Sequence, residues 1–95
     1  MDYSFLEFGT HAIQRMFERK IGVNAVIQVV RKGEVISRYE EDLPYPSVLL
    51  CGSYEGLPLH VVAATNTESG VVRIITVYIP SPDLWEDGYR MRKTP

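Results

Sequence analysis

Three side chains that can carry positive charge follow one another near the start of the chain. His11, Arg15 and Arg19 are spaced i, i+4 and i+8, so in an α-helix they lie along one stripe. Such a stripe can bind an anion such as phosphate, because arginine makes bidentate contacts and histidine titrates near neutral pH. It can equally be an ordinary solvated helix surface. The spacing indicates a candidate anion site and leaves both interpretations open.

The second histidine, His60, lies in the apolar run LPLHVVAA at 57–64. A histidine in such a run is at least as consistent with a half-buried, hydrogen-bonded side chain as with a catalytic group. If a two-residue turn joins this run to the preceding strand, His60 shares a sheet face with Cys51 and Leu49. No sequence signal near Cys51 indicates an activated thiol. The face on which His60 lies decides whether the two histidines can form one site.

The stripe requires a helix, which the sequence predicts over residues 10–20. Thr10 is predicted to cap its first turn through the hydroxyl group. Four residues form one apolar arc at 3.6 residues per turn, and we expect all of them to pack against the rest of the protein: Ala12, Ile13, Met16 and Phe17. The arc predicts that one side of the helix faces a core.

The remaining elements follow from periodicity and turn residues. Apolar residues at i, i+3, i+4 and i+7 predict a second helix over 23–32; its β-branched content also suits a strand, but Arg-Lys-Gly at 31–33 is typical of a helix end. Strands are predicted at 34–40, 47–54, 57–66 and 71–79, with Glu55 and Gly56 as a hairpin turn. Residues 1–9 are interpreted as an extended lead-in. The predicted fold is α+β, with two N-terminal helices on one face of a three- to four-stranded antiparallel sheet.

Length and composition restrict the class of protein. A chain of 95 residues with 45% apolar and 11% aromatic residues predicts a single folded domain over 1–95. No apolar run approaches the ~20 residues of a membrane span, and the first residues do not resemble a secretory signal. One cysteine and two histidines exclude an internal disulfide framework and the usual zinc spacings. We therefore expect a cytoplasmic protein with no metal and no cofactor.

Several motifs in order resemble a known family over nearly the whole chain. They are THA at 10–12, RM at 15–16, GEVI at 33–36, PYPS at 44–47, PLHVV at 58–62 and ITVY at 75–78, followed by Trp85, Arg90 and Arg92. Together they resemble the bacterial and archaeal domain-of-unknown-function family 4258. That family is similar in layout to RelE-like and MqsR-like toxins, which implies a RelE-like fold. The net charge of −2 departs from the usually basic toxins of this kind.

The resemblance implies the toxin component of a toxin–antitoxin pair that cleaves mRNA without a metal. Such cleavage needs an acid, a base and cations for the phosphorane. His11 and His60 would supply acid and base, and Tyr78 a hydrogen bond. Phosphate would be bound by four arginines: Arg15, Arg19, Arg90 and Arg92. The implied partners are RNA and a small antitoxin. Formation of a homo-oligomer is a further alternative that the sequence does not decide.

A plainer interpretation competes with this one. The basic stripe would then dock an acidic partner segment or another subunit in a non-enzymatic protein-binding module, or the chain would be an inactive protein of toxin fold. Tyr78 and Trp85 would be core aromatic residues with hydrogen-bonded polar tips. The absence of a strong catalytic signature favours this alternative, and the sequence leaves enzyme and binding module nearly even.

Overall fold

The described chain, residues 1–94 of a computed structural model, forms five strands and two helices. In chain order they are β1 (Phe5–Phe8), α1 (Thr10–Arg19), α2 (Val23–Lys32), β2 (Glu34–Tyr39), β3 (Ser47–Tyr54), β4 (Leu57–Thr65) and β5 (Val71–Tyr78). Both predicted helices and the four predicted strands are confirmed, with ends that differ by at most one residue. The valine-rich stretch 23–32 is helical because its helical spacing buries one side, which outweighs its weak strand preference.

The sheet is mixed, with the strand order β1-β5-β4-β3-β2. Strands β2 to β5 form the predicted antiparallel meander. Strand β1 adds a fifth, parallel strand at the edge, with Phe5 opposite Val71 and Phe8 opposite Ile74. The prediction of three or four purely antiparallel strands was therefore wrong. A four-residue strand carries almost no periodicity, and its partner lies more than sixty residues away in the chain.

The two helices cover one face of the sheet. Helix α1 packs against β5, and α2 packs against β3 and β4. The strand side chains that meet them are apolar and almost entirely buried: Leu50, Leu59, Val61, Ala63, Val72, Ile74 and Val77. Since successive side chains of a strand point to opposite faces, the residues between these belong to the second face. That second face is where the polar residues of the strands are gathered.

Helix α1 contacts the sheet along a narrow line. Ala12 and Met16 are buried, whereas Ile13 is 55% exposed and Phe17 is 87% exposed. The prediction that the whole apolar arc packs was therefore wrong for these two residues, because among the described elements α1 packs substantially against β5 alone. Thr10 makes no capping hydrogen bond; Gly9 occupies the N-cap, and its N–H donates to the Ile74 carbonyl at 2.9 Å.

The predicted hairpin turn at Glu55 and Gly56 is confirmed. Both residues have positive φ, 50° and 82°, as a two-residue turn that matches the strand twist requires. The turn pairs Tyr54 with Leu57, and this register places Cys51 directly opposite His60. A local turn therefore determines which side chains meet at the centre of the second sheet face.

Candidate functional site

His60 lies on the sheet face that the helices do not cover. Its neighbours in β4, Leu59 and Val61, both belong to the core against the helices, so the imidazole points the other way. The side chain is nevertheless 0% exposed. Its cover is the segment after β5, residues 80–93, which we call the C-terminal strap. The site is therefore a buried histidine between the sheet and the strap.

Both ring nitrogens of His60 have hydrogen-bond partners. Nδ1 lies 3.0 Å from the hydroxyl of Tyr78, and Nε2 lies 2.8 Å from the carbonyl oxygen of Tyr89. A carbonyl can only accept, so Nε2 carries the proton, and in the neutral ring Nδ1 accepts from the Tyr78 hydroxyl. Burial lowers the pKa of His60, and the hydrogen bond to Tyr89 opposes that shift. The arrangement favours a neutral imidazole at pH 7.

Tyr78, which is hydrogen-bonded to His60, is half-buried. It lies opposite His60 in the pairing of β4 with β5. Burial raises the pKa of the Tyr78 phenol, Tyr39 raises it further, and the positive charge of Arg92 opposes the rise. At neutral pH the hydroxyl is therefore protonated and can donate a hydrogen bond, but it cannot act as a base.

The strap is attached to the sheet through several contacts around His60. The Trp85 ring packs edge to face on the imidazole, with centroids 4.5 Å apart, and the Arg92 guanidinium lies 5.5 Å from the Trp85 ring. The Cys51 thiol donates to the Tyr89 carbonyl at 3.5 Å. Burial raises the pKa of Cys51, and nearby Arg90 partly opposes this, so the thiol is protonated rather than activated.

Arg90 anchors the far side of the strap. Its guanidinium forms an ion pair with Glu34 of β2, and both side chains are more than half exposed. Of the four arginines predicted to bind phosphate, Arg90 and Arg92 thus belong to the strap: Arg90 is near Cys51, and Arg92 is near Tyr78 and Trp85. An exposed pair of this kind contributes little to stability, so the carboxylate mainly orients Arg90.

The other predicted site residues lie on α1, on the opposite side of the sheet. His11 is exposed, and its Nε2 accepts a long 3.4 Å hydrogen bond from Arg15. Arg15 also lies 3.6 Å from Glu18. Arg19 is exposed at the end of the helix. The predicted stripe exists and faces solvent.

The sheet therefore separates the two histidines. His60, Tyr78, Arg90 and Arg92 are brought together, and His11, Arg15 and Arg19 form a second group on the helix side. His11 and His60 could form one acid–base pair only if His60 lay on the sheet face toward α1, and it lies on the other face. The catalytic and RNA-binding roles of these seven residues stay predictions. The roles would have to be divided between two separate surfaces.

Two participants in the site were not predicted. The Tyr89 carbonyl lies on the strap, where Tyr89 has a φ of 59°. No sequence pattern predicted its hydrogen bond with His60 of β4. Trp85 was expected to be a core aromatic residue, and its burial is confirmed at 7% exposure, but its packing against His60 was not predicted. The predicted common face of His60, Cys51 and Leu49 is confirmed by the strand register.

Within residues 1–94 no group of three or more histidine, cysteine, aspartate or glutamate side chains is arranged to hold a metal ion. Over the same residues, neither helix has the length and apolar character needed to cross a bilayer. Each buried side-chain nitrogen and oxygen in that range has a hydrogen-bond partner. The described polar site is therefore internally satisfied.

Comparison with known proteins identifies the domain. The model of the family described as Domain of unknown function (DUF4258) matches residues 8–79, from the end of β1 just past the end of β5. No curated protein and no solved structure shows significant similarity. The match leaves the strap outside the family region, while α1, His60 and Tyr78 lie inside it. The resemblance drawn from the motifs is confirmed at this level: the chain belongs to the DUF4258 family of domains of unknown function.

Proposed function

We propose that the protein is the binding component of a two-protein pair and that the exposed surface of α1 binds an acidic, amphipathic segment of a small partner protein. The observation that carries the proposal is Phe17, which is 87% exposed although the adjacent Met16 is buried. Ile13 is exposed one turn earlier, so the two form an apolar ridge. A pair of this kind is a suitable anchor for a partner helix.

The charge of α1 determines the kind of partner. Between Thr10 and Lys20 the chain carries three fixed cations, Arg15, Arg19 and Lys20, and one carboxylate, Glu18, whereas the chain as a whole has a net charge of −2. Cations beside an apolar ridge favour a partner that presents apolar side chains flanked by aspartate or glutamate. The Arg15–Glu18 contact is exposed and at 3.6 Å, so it competes weakly with such a partner.

A likeness to RelE-like and MqsR-like toxins is part of this proposal. It is supported by two consecutive N-terminal helices on one face of an antiparallel meander and by the motifs that indicate the family. In such a pair the partner would be a small antitoxin. Fold likeness alone says little about activity, and the binding role rests on the α1 surface instead.

Site-specific photo-crosslinking in the cells that produce the protein tests the proposal. A benzophenone side chain is placed at position 17 or, as the control, at position 84 in the strap, where Leu84 is 50% exposed. We expect a discrete adduct with a small acidic protein from position 17 alone. Reversal of both charges in Arg15→Glu/Arg19→Glu should reduce it. Equal adducts from both positions, or an adduct insensitive to charge reversal, would contradict the proposal.

Affinity measurements with the crosslinked protein, purified after its identification, provide the quantitative test. We expect Phe17→Ala to weaken binding at least about tenfold, or about 1.4 kcal/mol, because an exposed aromatic anchor loses most of its contact area. Leu84→Ala should leave the Kd unchanged. A Phe17→Ala variant with the affinity of the unmodified protein would exclude α1 as the docking surface.

A metal-independent mRNA endoribonuclease is the second candidate. It is favoured by the neutral Tyr78 phenol, which has the positive charge of Arg92 within electrostatic range. A protonated phenol and an arginine are groups that stabilise a charged phosphorane. RNA would have to approach the second sheet face beside the strap, and the base would have to come from another group than buried His60.

Purified protein incubated with RNA tests this candidate. If the sheet face is catalytic, Tyr78→Phe should slow cleavage about 100-fold, and His11→Ala on the other side of the sheet should have no effect. If the helix stripe contributes, His11→Ala should slow cleavage as well. Absence of cleavage by the unmodified protein at every concentration tested would exclude the endoribonuclease.

A further inference from the structure

The two arms of the C-terminal strap pair with each other. The Glu86 N–H donates to the Met91 carbonyl at 2.8 Å, and the Lys93 N–H donates to the Leu84 carbonyl at 2.9 Å. These bonds pair the two arms of the strap, and an isolated bridge joins Trp85 to Arg92. An isolated hairpin of this size is marginally stable in water, so release of the strap from the sheet also opens these internal hydrogen bonds.

One carbonyl oxygen holds the strap at its centre. The Tyr89 oxygen accepts from His60 Nε2 at 2.8 Å and from Cys51 Sγ at 3.5 Å. Further attachments are the Trp85 ring against the imidazole, a 3.7 Å contact of Cys51 Sγ with the Gly88 carbonyl, and the exposed ion pair of Arg90 with Glu34. Two of these contacts, the hydrogen bond to the Tyr89 oxygen and the ring packing, depend directly on the imidazole of His60.

We propose that His60 is an acid-sensitive latch that holds the C-terminal strap closed at neutral pH and releases it on protonation, which uncovers the sheet face around Cys51 and Tyr78. The neutral ring matches its surroundings, since it donates to Tyr89 and accepts from Tyr78. A protonated ring has two donors and no acceptor. The Tyr78 hydroxyl, which donates to the neutral ring, must then accept from it and turn its hydrogen away.

The groups around His60 offer no charge to compensate an imidazolium. Strand β3 presents the Cys51 thiol, β5 presents the Tyr78 phenol, and the strap presents the Trp85 ring with the cations Arg92 and Arg90. The Glu34 carboxylate of β2 is paired with Arg90, and the strap carboxylates Asp83, Glu86 and Asp87 are exposed to solvent. A positive ring would therefore be buried without a carboxylate to compensate its charge, which disfavours the closed state.

The direction of the pH effect follows from linkage. Burial lowers the pKa of His60 in the closed state, whereas in the open state it returns toward the ordinary value of about 6.5. A proton thus binds the open state more tightly. The strap is fully held above about pH 6.5, and the closed state loses up to about tenfold in its equilibrium constant for each pH unit below that, until His60 titrates in the closed state as well.

Amide hydrogen exchange of the full chain between pH 7.5 and 5.0 tests the latch. After correction for intrinsic exchange rates, we expect the protection of the Glu86 and Lys93 amides to fall by up to about tenfold per pH unit below 6.5. The Val61 amide in the central strand should keep its protection, which distinguishes strap release from global unfolding. Uniform loss of protection across strap and sheet, or no loss in the strap, would overturn the proposal.

Two variants assign the effect to one histidine. His60→Gln retains a donor and an acceptor without titrating, so its strap protection should be independent of pH, while His11→Gln should behave as the unmodified protein. A pH dependence that persists in His60→Gln would overturn the proposal. If that variant does not fold, an NMR titration of the His60 ring decides the matter: a pKa clearly below 6.5 is required, and one at or above 6.5 would refute the latch.

Discussion

Replacement of each histidine by alanine should separate a buried structural side chain from an exposed one. His60→Ala removes a fully buried ring, which costs about 3–5 kcal/mol for an aromatic side chain in a core. It also removes one partner each from the Tyr89 carbonyl and the Tyr78 hydroxyl, although Cys51 still reaches the carbonyl. We therefore expect a loss of about 3–5 kcal/mol in the free energy of unfolding, a large share of the 5–15 kcal/mol typical of a domain. His11→Ala, on the exposed side of α1, should stay within about 0.5 kcal/mol of the unmodified protein.

Urea denaturation followed by two probes measures both effects. Far-UV circular dichroism reports the helices and the sheet, and the fluorescence of Trp85, the single tryptophan, reports the strap. With a slope of about 1.5 kcal/mol/M, a loss of 3 kcal/mol lowers the midpoint by about 2 M. His60→Phe restores the ring volume and isolates the hydrogen bonds, so it should recover part of the loss and remain about 1–3 kcal/mol below the unmodified protein.

A small effect at the buried position would contradict a stabilising role for His60. A midpoint for His60→Ala within 0.3 M of the unmodified protein would mean that neither the ring volume nor its two hydrogen bonds stabilise the fold. Equal losses for His11→Ala and His60→Ala would contradict the difference in burial on which the comparison depends. A fluorescence transition well before the circular dichroism transition in His60→Ala would locate the damage in the strap alone.

Three further predictions concern other parts of the fold. Met16→Ala should cost about 2–4 kcal/mol because the side chain is buried, while Phe17→Ala should change stability by less than about 0.5 kcal/mol; equal losses in thermal melts would contradict the packing of α1. Gly33→Ala should cost about 1–3 kcal/mol, because an added Cβ would lie 2.4 Å from the Val29 carbonyl oxygen, whereas Gly22→Ala meets nothing within 4 Å; similar urea midpoints for the two would be the contrary result. Cys51, whose pKa is raised by burial, should react with iodoacetamide at pH 7.5 more slowly in the folded protein than in urea, and equal rates would show that the strap does not cover it.

Local signals predicted much of the fold and one part of the site. Helical spacing identified both helices, and the Glu55–Gly56 turn predicted the register that places Cys51 opposite His60. The same signals missed β1, since a four-residue strand has too few residues for a pattern. They also predicted wrongly that Phe17 is buried. An amphipathic arc indicates which side of a helix is apolar, but it does not indicate how much of that side another element covers.

The sequence by itself determined the α+β class, the positions of both helices and of strands β2 to β5, the stripe of His11, Arg15 and Arg19 along α1, and membership in the family that its motifs indicate. These properties depend on neighbours within a few turns of the chain. The tertiary structure decided that the sheet separates the two histidines, that Phe17 is exposed, and that the Tyr89 carbonyl closes over His60. Each of these depends on residues far apart in the chain, whose contacts are determined by the packing of whole elements and leave no local pattern.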